Sequence, residues 1–489
     1  PAESDWILYG AYNRDYTLMR NALIYDLSNQ AGLYAVRTQH CELFLTLEDS
    51  TVSSEDYHGV YSWCEKVKRA EGRVEIDQLL TDDLSDPDVS GGYIFKIDRL
   101  DSGDRGFSAG GRFMQYVEPK EQDIQPEQSA WLINYINEFA AALNGPNFTD
   151  PFIGYERYID VESWIDHHLF NAFAYNADGL RLSTFLVKPR GQKLRKGPIW
   201  DFDLSMGSED SRAQATRGWS AGGTQYRGET WWSRLFQDQN FCDRYMERWL
   251  ALRQSVLGPE SVHATIDRMA VQLAEPALRN RDRWWITTGD FPDDLDWQDA
   301  VNDLKNWVEA RAVWIDTQAI PSPEFSQPGG EVSVGFEFEI GFSSERLSPG
   351  QIVYTVNGPD PMGDDRRSVP EAISYDGAPV TVSENVRIRA RTLDRGGWSN
   401  MSVTHYVTDR LPLVVSEVMY NPMRSEQFSS SNLEFVELLN IGDQPIDLVE
   451  AGIGDAPDVV ITGEELLRGG ALGLVEPDER VVLVKNVEA

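Results

Sequence analysis

Two short stretches carry acids in places where acids can do chemistry. Asn176-Ala177-Asp178-Gly179 sets Asp178 in a turn, and Trp200-Asp201-Phe202-Asp203 sets two more acids at the end of an apolar segment. Carboxylates delivered by two loops can gather around a divalent cation such as Mg²⁺, which needs only one or two of them from the protein. The intervening residues supply elements that could bring the loops together. Val161, Ile165, Leu169 and Ala172 share one helical face and predict a helix running into the first turn. Phe185-Leu186-Val187 predicts a strand, Lys188-Pro189-Arg190-Gly191 a hairpin turn, and the returning strand ends at Asp201. The plainer reading is that these acids cap turns and remain solvated.

Phosphoryl transfer by protein kinases uses the same parts: an Asp in a catalytic loop, a metal-binding residue five positions on, a hairpin, and a second Asp on the metal. Here the two acids stand 23 positions apart (201 minus 178), and Asp201-Phe202 is followed by Asp203 rather than Gly. The run Pro198-Ile-Trp-Asp-Phe-Asp-Leu-Ser-Met-Gly207 resembles the signature of the spore-coat-protein-H-like (CotH) atypical kinases. Further matching pieces follow in order, among them Leu18-Met19-Arg20-Asn21, Tyr57-His58-Gly59-Val60-Tyr61, Gly91-Gly92-Tyr93, Trp232-Ser233-Arg234-Leu235 and Arg279-Asn280-Arg281. The resemblance spans residues 5 to 318.

It implies a role for each site residue. Asp178 would accept or orient the proton of the acceptor hydroxyl, and Asp201 would bind the Mg²⁺ (or Mn²⁺) that bridges the phosphates of ATP. Asp203 would assist through a water. Ser183, five residues past Asp178, stands where many relatives carry a metal-binding Asn. Glu65, Lys66 and Lys68 would lie near the adenine, the plainer reading being a surface charge cluster that ends a strand, and residues 208 to 228 take the place of an activation segment or form an ordinary loop. The family's upstream Arg-Gly-x-Ser stretch and Lys-bearing strand have no counterpart before Asp5, so the kinase-like domain is expected to be truncated at its N-terminus. The function implied is a secreted bacterial kinase, extracellular or at the cell surface, that transfers the ATP γ-phosphate to a hydroxyl, Ser above all, of a secreted or cell-surface protein. Two other classes compete. One is a non-catalytic extracellular scaffold with a degenerate kinase-like fold; the other is a carboxylate-pair hydrolase such as a glycosidase.

Composition narrows the partners. A net charge of −35 repels nucleic acid and anionic membranes. No run of about 18 apolar residues occurs, so no membrane-spanning segment is expected. Cys41, Cys64 and Cys242 form no Cys-x-x-Cys pair, which argues against a thiolate metal site and leaves one disulfide open without choosing its partners. Neighbouring residues on a helix diverge by about 100 degrees, so His167 and His168 are expected to pack rather than share a metal. The chain opens without a signal peptide and reads as a fragment.

The predicted architecture is multidomain. Residues 1–320 form an α+β kinase-like domain, 321–331 a Pro/Gly linker, and two β-sandwiches follow. Helices are expected near 16–31, 127–144, 240–256, 260–274, 276–285 and 297–318, with Trp231, Trp232, Trp249, Trp284, Trp285, Trp307 and Trp314 packing the helical lobe. Residues 332–409, through Tyr354-Thr-Val-Asn-Gly-Pro-Asp-Pro361 and Trp398-Ser399, resemble the chitobiase C-terminal, fibronectin-III-like module. Residues 410–489, through Val414-Val-Ser-Glu-Val-Met-Tyr-Asn-Pro422 and Glu434-Phe-Val-Glu-Leu-Leu-Asn440 with Ile446-Asp447-Leu448, resemble an incomplete lamin-tail domain.

Overall fold

The computed structural model describes residues 5–11, 14–46, 51–100, 105–288, 296–342, 350–363, 365–394, 396–408, 413–419, 435–447 and 474–484. The chain divides into two compact units, Pro1–Ala319 and Ile320–Ala489.

The first unit begins with a three-stranded antiparallel sheet. Strands β1 (Trp6–Tyr9), β2 (Thr38–Phe44) and β3 (Tyr57–Glu65) are ordered β1-β3-β2. Helix α1 (Arg20–Gln30) is buried along most of its length. It starts four residues later than its apolar pattern suggests, because Asp15 intercepts the backbone first. The Asp15 carboxylate accepts from the N–H of Thr17 at 3.0 Å and of Arg20 at 2.7 Å, and Leu18 between them turns to φ 63°.

A second sheet combines β4 (Tyr93–Ile97), β5 (Phe107–Ala109), β6 (Arg112–Glu118), β7 (Thr184–Lys188) and β8 (Arg195–Lys196) in the order β5-β6-β4-β7-β8. The expected hairpin is present as β7 and β8, with Leu186 opposite Lys196, but the returning strand ends at Lys196 rather than at Asp201, because Pro198 has no N–H to continue the ladder. Strand β7 also pairs with β4 on its other edge and is buried at every residue. A strand covered on both faces reads as a continuous apolar run rather than an alternating one.

Helices α2 (Pro126–Asn144) and α3 (Val161–Ala174) precede the first acidic loop. Asp160 caps α3, accepting from Ser163 N–H at 3.0 Å, and Tyr175 ends it in a left-handed turn at φ 53°. After β8 come a short hairpin of β9 (Ser220–Ala221) and β10 (Thr224–Gln225), then α4 (Trp232–Leu235), α5 (Gln239–Arg253), α6 (Pro259–Thr288) and α7 (Trp297–Asp316). The expected break between 274 and 276 does not occur: α6 runs through Pro276. Proline removes one intrahelical bond, to the carbonyl four residues earlier, and that residue, Gln272, is exposed. Trp231, Trp232, Trp249 and Trp307 are buried, and Trp314 packs against the same core. The side chain of Trp285 lies outside the described residues.

All three cysteines are free thiols. Register explains why the two on neighbouring strands do not bond. Thr38 lies opposite Cys64 and Cys41 opposite Tyr61, so Cys41 and Cys64 project from opposite faces of the sheet. Among the described residues no helix is long and apolar enough to cross a membrane.

The second unit is β-rich. Its largest sheet joins Gln351–Val356, Val386–Asp394 and Ser402–Val407, and a small core gathers Phe338, Ile352, Ile388 and Tyr406. Farther along, Leu413–Met419 pairs with Phe435–Asn440, which pairs with Arg480–Val484. Tyr420, Asn421, Pro422, Glu434 and Leu448, which belong to the lamin-tail resemblance, lie outside the described residues.

Candidate functional site

The two acidic loops meet, and one buried amide fastens them together. Asn176 is fully buried. Its Nδ2 donates to the carbonyl oxygen of Asp201 at 2.8 Å, while its Oδ1 accepts from the N–H of Asp178 at 3.1 Å and of Gly179 at 3.2 Å. The backbone around Gly179 is tight: a Cβ there would come within 2.1 Å of Asn171 Oδ1.

Helix α1 holds the second loop from the other side. Tyr25 Oη accepts from the Asp201 N–H at 3.0 Å, and Asn21 Oδ1 accepts from the Phe202 N–H at 2.7 Å and from Tyr25 Oη–H at 3.1 Å. At the first residue of the helix, Arg20 donates to the carbonyls of Met206 at 3.3 Å and Gly207 at 3.1 Å, and forms a buried ion pair with Asp15 at 2.5 Å. The helix therefore grips residues 201, 202, 206 and 207 through backbone atoms, on both sides of Asp203.

The loops themselves are strained. Tyr175, Leu180, Ser183, Asp201 and Met206 all have φ between 47° and 69°. Left-handed backbone in a residue with a Cβ costs on the order of 1 kcal/mol or more and persists only where surrounding contacts enforce it.

Within this frame Ser183 Oγ donates to Asp201 Oδ2 at 3.0 Å. Asp203 lies close enough to Asp201 to raise its carboxyl above the usual range. Burial is the larger cause, the Asp203 charge the next, and Asp178 adds in the same direction. The hydroxyl of Tyr9, reaching in from β1, is pushed up by burial and then by the charges of Asp203, Asp15 and Asp201. Ser183, Asp201 and Asp203 thus form one oxygen cluster in which negative charge is under-compensated. Among the described residues no three His, Cys, Asp or Glu side chains make a metal cage by themselves. Two carboxylates and a hydroxyl nevertheless suit a hard, partly hydrated cation such as Mg²⁺ or Mn²⁺.

Asp178 has different company. Its Oδ1 pairs with Arg181 and lies 3.4 Å from Arg212 Nη1, and its Oδ2 lies 3.6 Å from Arg99 Nη2. The three guanidiniums come from separate segments, Arg212 from within 208–228. It is itself tied to Asp210 at 2.8 Å. This small basic group sits beside the acids of a strongly acidic protein.

The residues expected near the adenine form a separate group at the end of β3. Glu65 is buried, with its carboxylate accepting from Arg37 N–H and Nε–H at 3.0 Å each and lying 3.5 Å from Arg73 Nε. Lys68 Nζ pairs with Asp5 at 2.6 Å, and Lys66 is exposed.

Asn21, Tyr25 and Asn176, together with Tyr9 and the three arginines, escaped the sequence reading. Asn176 opens the turn cluster that was recognised, and Asn21 and Tyr25 sit four apart on a recognised helix; nothing in their spacing reveals a bond to a loop 176 or more residues away. Histidines 167 and 168 are both buried. His168 spans α3 and its neighbours, with Nδ1 2.9 Å from Tyr245 Oη and Nε2 2.9 Å from the Tyr226 carbonyl, and burial pulls it down to about 3. It is a neutral structural residue. Arg311 of α7 is fully buried and donates to the carbonyls of Ala172, Thr216 and Gly218, tying the end of α3 to the segment after Asp210.

A family model described as CotH kinase protein matches residues 2–315, more than half of the chain. No curated protein matches the chain.

Proposed function

The chain belongs to the CotH kinase family, and we propose that it is an active atypical kinase that moves the γ-phosphate of ATP onto a protein hydroxyl, Ser by preference. The observation that carries this reading is the Asn176 bridge. It joins a loop bearing one acid, Asp178, to a loop bearing two others, with Ser183 bonded to Asp201.

On this reading Asp201, Asp203 and Ser183 hold Mg²⁺ or Mn²⁺, which when bound neutralises charge on the triphosphate. Phosphoryl transfer is mostly positioning and charge stabilisation, so the protein's part is to fix the partners in line. Asp178 orients the acceptor hydroxyl and takes its proton, releasing its arginine partners as it does so. Arg99, Arg181 and Arg212 then face the phosphoryl oxygens, supplying cationic charge next to the acids. At the end of β3, Glu65, Lys66 and Lys68 approach the adenine. The Glu65 carboxylate and the Lys68 ammonium already have protein partners, so recognition there falls to the backbone and to Lys66.

A secreted or cell-surface setting and a protein acceptor are parts of the same proposal. The resemblances of residues 332–409 and 410–489 to accessory modules of extracellular proteins support the setting. The competing reading is a scaffold that keeps the fold without the chemistry. It draws on Ser183 and on the ion pairs that occupy Asp178.

Labelling separates the two. The full chain is incubated with γ-labelled ATP, Mg²⁺ or Mn²⁺, and Ser-containing peptides. Wild type should bind nucleotide in a metal-dependent way and transfer label. Asp201→Ala should lose metal-dependent binding, whereas Asp178→Ala should keep binding and lose transfer. A wild-type chain that neither binds metal–ATP nor labels itself or any peptide, also when it carries a Lys-bearing strand ahead of Asp5, favours the scaffold reading.

A further inference from the structure

The end of α1, residues 73–76, the first half of α3 and residues 195–199 enclose a cavity of about 360 Å³. None of Asp178, Ser183, Asp201 and Asp203 lines it. We propose that this cavity binds a small, flat, largely apolar molecule that presents a carboxylate or carbonyl oxygen to His167 and Arg73.

The lining shows which chemistry is wanted. Phe170, Val187 and Ile199 contribute apolar wall, and the volume falls in the range of small-molecule sites, which are mostly apolar with a few placed polar groups. Four carboxylates also line the cavity, and each already has a protein partner. Asp160 accepts from Ser163 N–H at 3.0 Å and Glu75 from Gly72 N–H at 2.6 Å, Asp166 takes Arg248 Nε–H at 2.7 Å, and Glu162 pairs with Arg244. The unmet groups are donors. His167 and Arg73 are 3% and 4% exposed, and both His167 Nε2 and Arg73 Nη2 are buried without a hydrogen-bond partner. Asn171 Nδ2 donates to the His167 carbonyl at 2.8 Å and lies 3.5 Å from His167 Nδ1, an arrangement that suits the tautomer with its hydrogen on Nε2. Arg73 is held in place by Nη1, which donates to the carbonyls of Asp5 at 3.0 Å and Lys66 at 3.2 Å. A buried donor left unmet costs on the order of 1–3 kcal/mol, so two of them on residues that line one cavity favour an occupant that brings oxygen.

The walls are the elements that position the acids. Ile199 lies two residues before Asp201, and α1 carries Asn21 and Tyr25, which hold the backbone of 201 and 202. An occupant would therefore brace the acidic loop; any effect on phosphoryl transfer rests on the kinase reading, but the binding itself does not.

The test uses 2-naphthoate as probe, titrated calorimetrically into the full chain without nucleotide. One equivalent should bind. Naphthalene-2-methanol, which lacks the carboxylate, should bind at least tenfold more weakly. His167→Phe should weaken naphthoate at least tenfold while leaving the melting temperature unchanged or higher, because it removes an unmet buried nitrogen. Leu33→Trp, filling the cavity from a half-buried lining position, should also abolish binding and serves if the first variant fails to fold. Saturating Mg²⁺–ATP should not displace the probe, and Asp201→Ala should retain it. No binding to wild type, undiminished binding to both cavity variants, or displacement by ATP would each overturn the proposal; displacement would make the cavity part of the nucleotide site instead.

Discussion

Asn176→Ala is the change that most directly tests how the site is assembled. Truncation removes an amide that serves three backbone groups, the N–H of Asp178, the N–H of Gly179 and the carbonyl of Asp201. Each buried group left unmet costs about 1–3 kcal/mol, so the three together set a ceiling of about 9 kcal/mol. Two features reduce this. Asp201 is only half-buried, so its carbonyl can find solvent, and the space left by the amide is polar enough to admit a water. A loss of about 2–4 kcal/mol is expected for the first unit. Fourteen of the fifteen tryptophans precede residue 320, so tryptophan fluorescence in a urea titration reports that unit and not its neighbour. Asn176→Asp refines the measurement. It keeps an oxygen for Asp178 and Gly179 but sets a second oxygen against the Asp201 carbonyl. Hydrogen exchange should therefore speed up at the amides of 178 and 179 in the Ala variant and stay slow in the Asp variant. Transfer of phosphate should be lost in both, since either change frees one loop from the other. If Asn176→Ala costs less than about 0.5 kcal/mol, the range of an ordinary surface substitution, and both amides stay protected, the bridge does not hold the loops and the argument fails.

Three other outcomes are expected. Ser183→Asn should leave the melting temperature unchanged or slightly higher and preserve Mn²⁺-dependent nucleotide binding, because Ser183 sits at φ 49°, a conformation Asn adopts more readily, and the amide keeps an oxygen for the cation; calorimetry with Mn²⁺ checks it. In the metal-free protein the native state holds a proton on the Asp201 side of the acid pair that the unfolded chain releases near the ordinary carboxylate range. Stability should thus fall as pH rises through the interval between those values, and Asp203→Asn should shrink that fall by removing the charge that is its second cause; urea titrations at pH 5 and pH 8 measure it, and an unchanged difference counts against the pairing. Lys196 has the opposite sign. Burial, the larger cause, and then Arg112 pull it down to about 7 among Trp164, Trp231 and Trp232, so the unfolded chain binds the proton the native state sheds, and stability should rise from pH 7 toward pH 10; Lys196→Met should flatten that rise.

The site was legible wherever local pattern decides. The helix into the first loop and the turn of the hairpin follow from periodicity and turn residues, whereas Asp178, Asp201 and Ser183 were singled out by the kinase-like order of parts and the family resemblance. What stayed hidden is contact across long sequence separation. Asn21 and Tyr25 read as part of an apolar helix, yet their polar atoms meet backbone 181 and 176 positions away. The late start of α1 was missed for a related reason: Asp15 competes for the first N–H groups of the helix, and propensity does not report such competition. Pro276 misled in the other direction, since an exposed helix can lose one bond to water and continue. Glu65 shows the same limit on charge. Its place at a strand end suggests a ligand contact, but only the fold reveals Arg37 and Arg73 around it.

These hidden contacts explain how the site tolerates its own geometry. Acids held next to one another repel, and the left-handed residues at 180, 183, 201 and 206 each oppose the fold by on the order of 1 kcal/mol or more. Free loops would relax on both counts, swinging Asp201 away from Asp203 and returning the backbone to ordinary dihedrals. Relaxation is blocked because the anchors grip main chain rather than the acids themselves: Asn176 on the carbonyl of 201, Tyr25 and Asn21 on the N–H groups of 201 and 202, and Arg20 on the carbonyls of 206 and 207. Anchoring the backbone leaves the carboxylate oxygens for a cation and the Asp178 oxygens for arginines or an acceptor. Strain and repulsion are therefore sustained by α1 and by one asparagine. On the kinase reading, losing those anchors should harm transfer more than the acids' own surroundings suggest, because the acids contribute little to holding their own backbone in place.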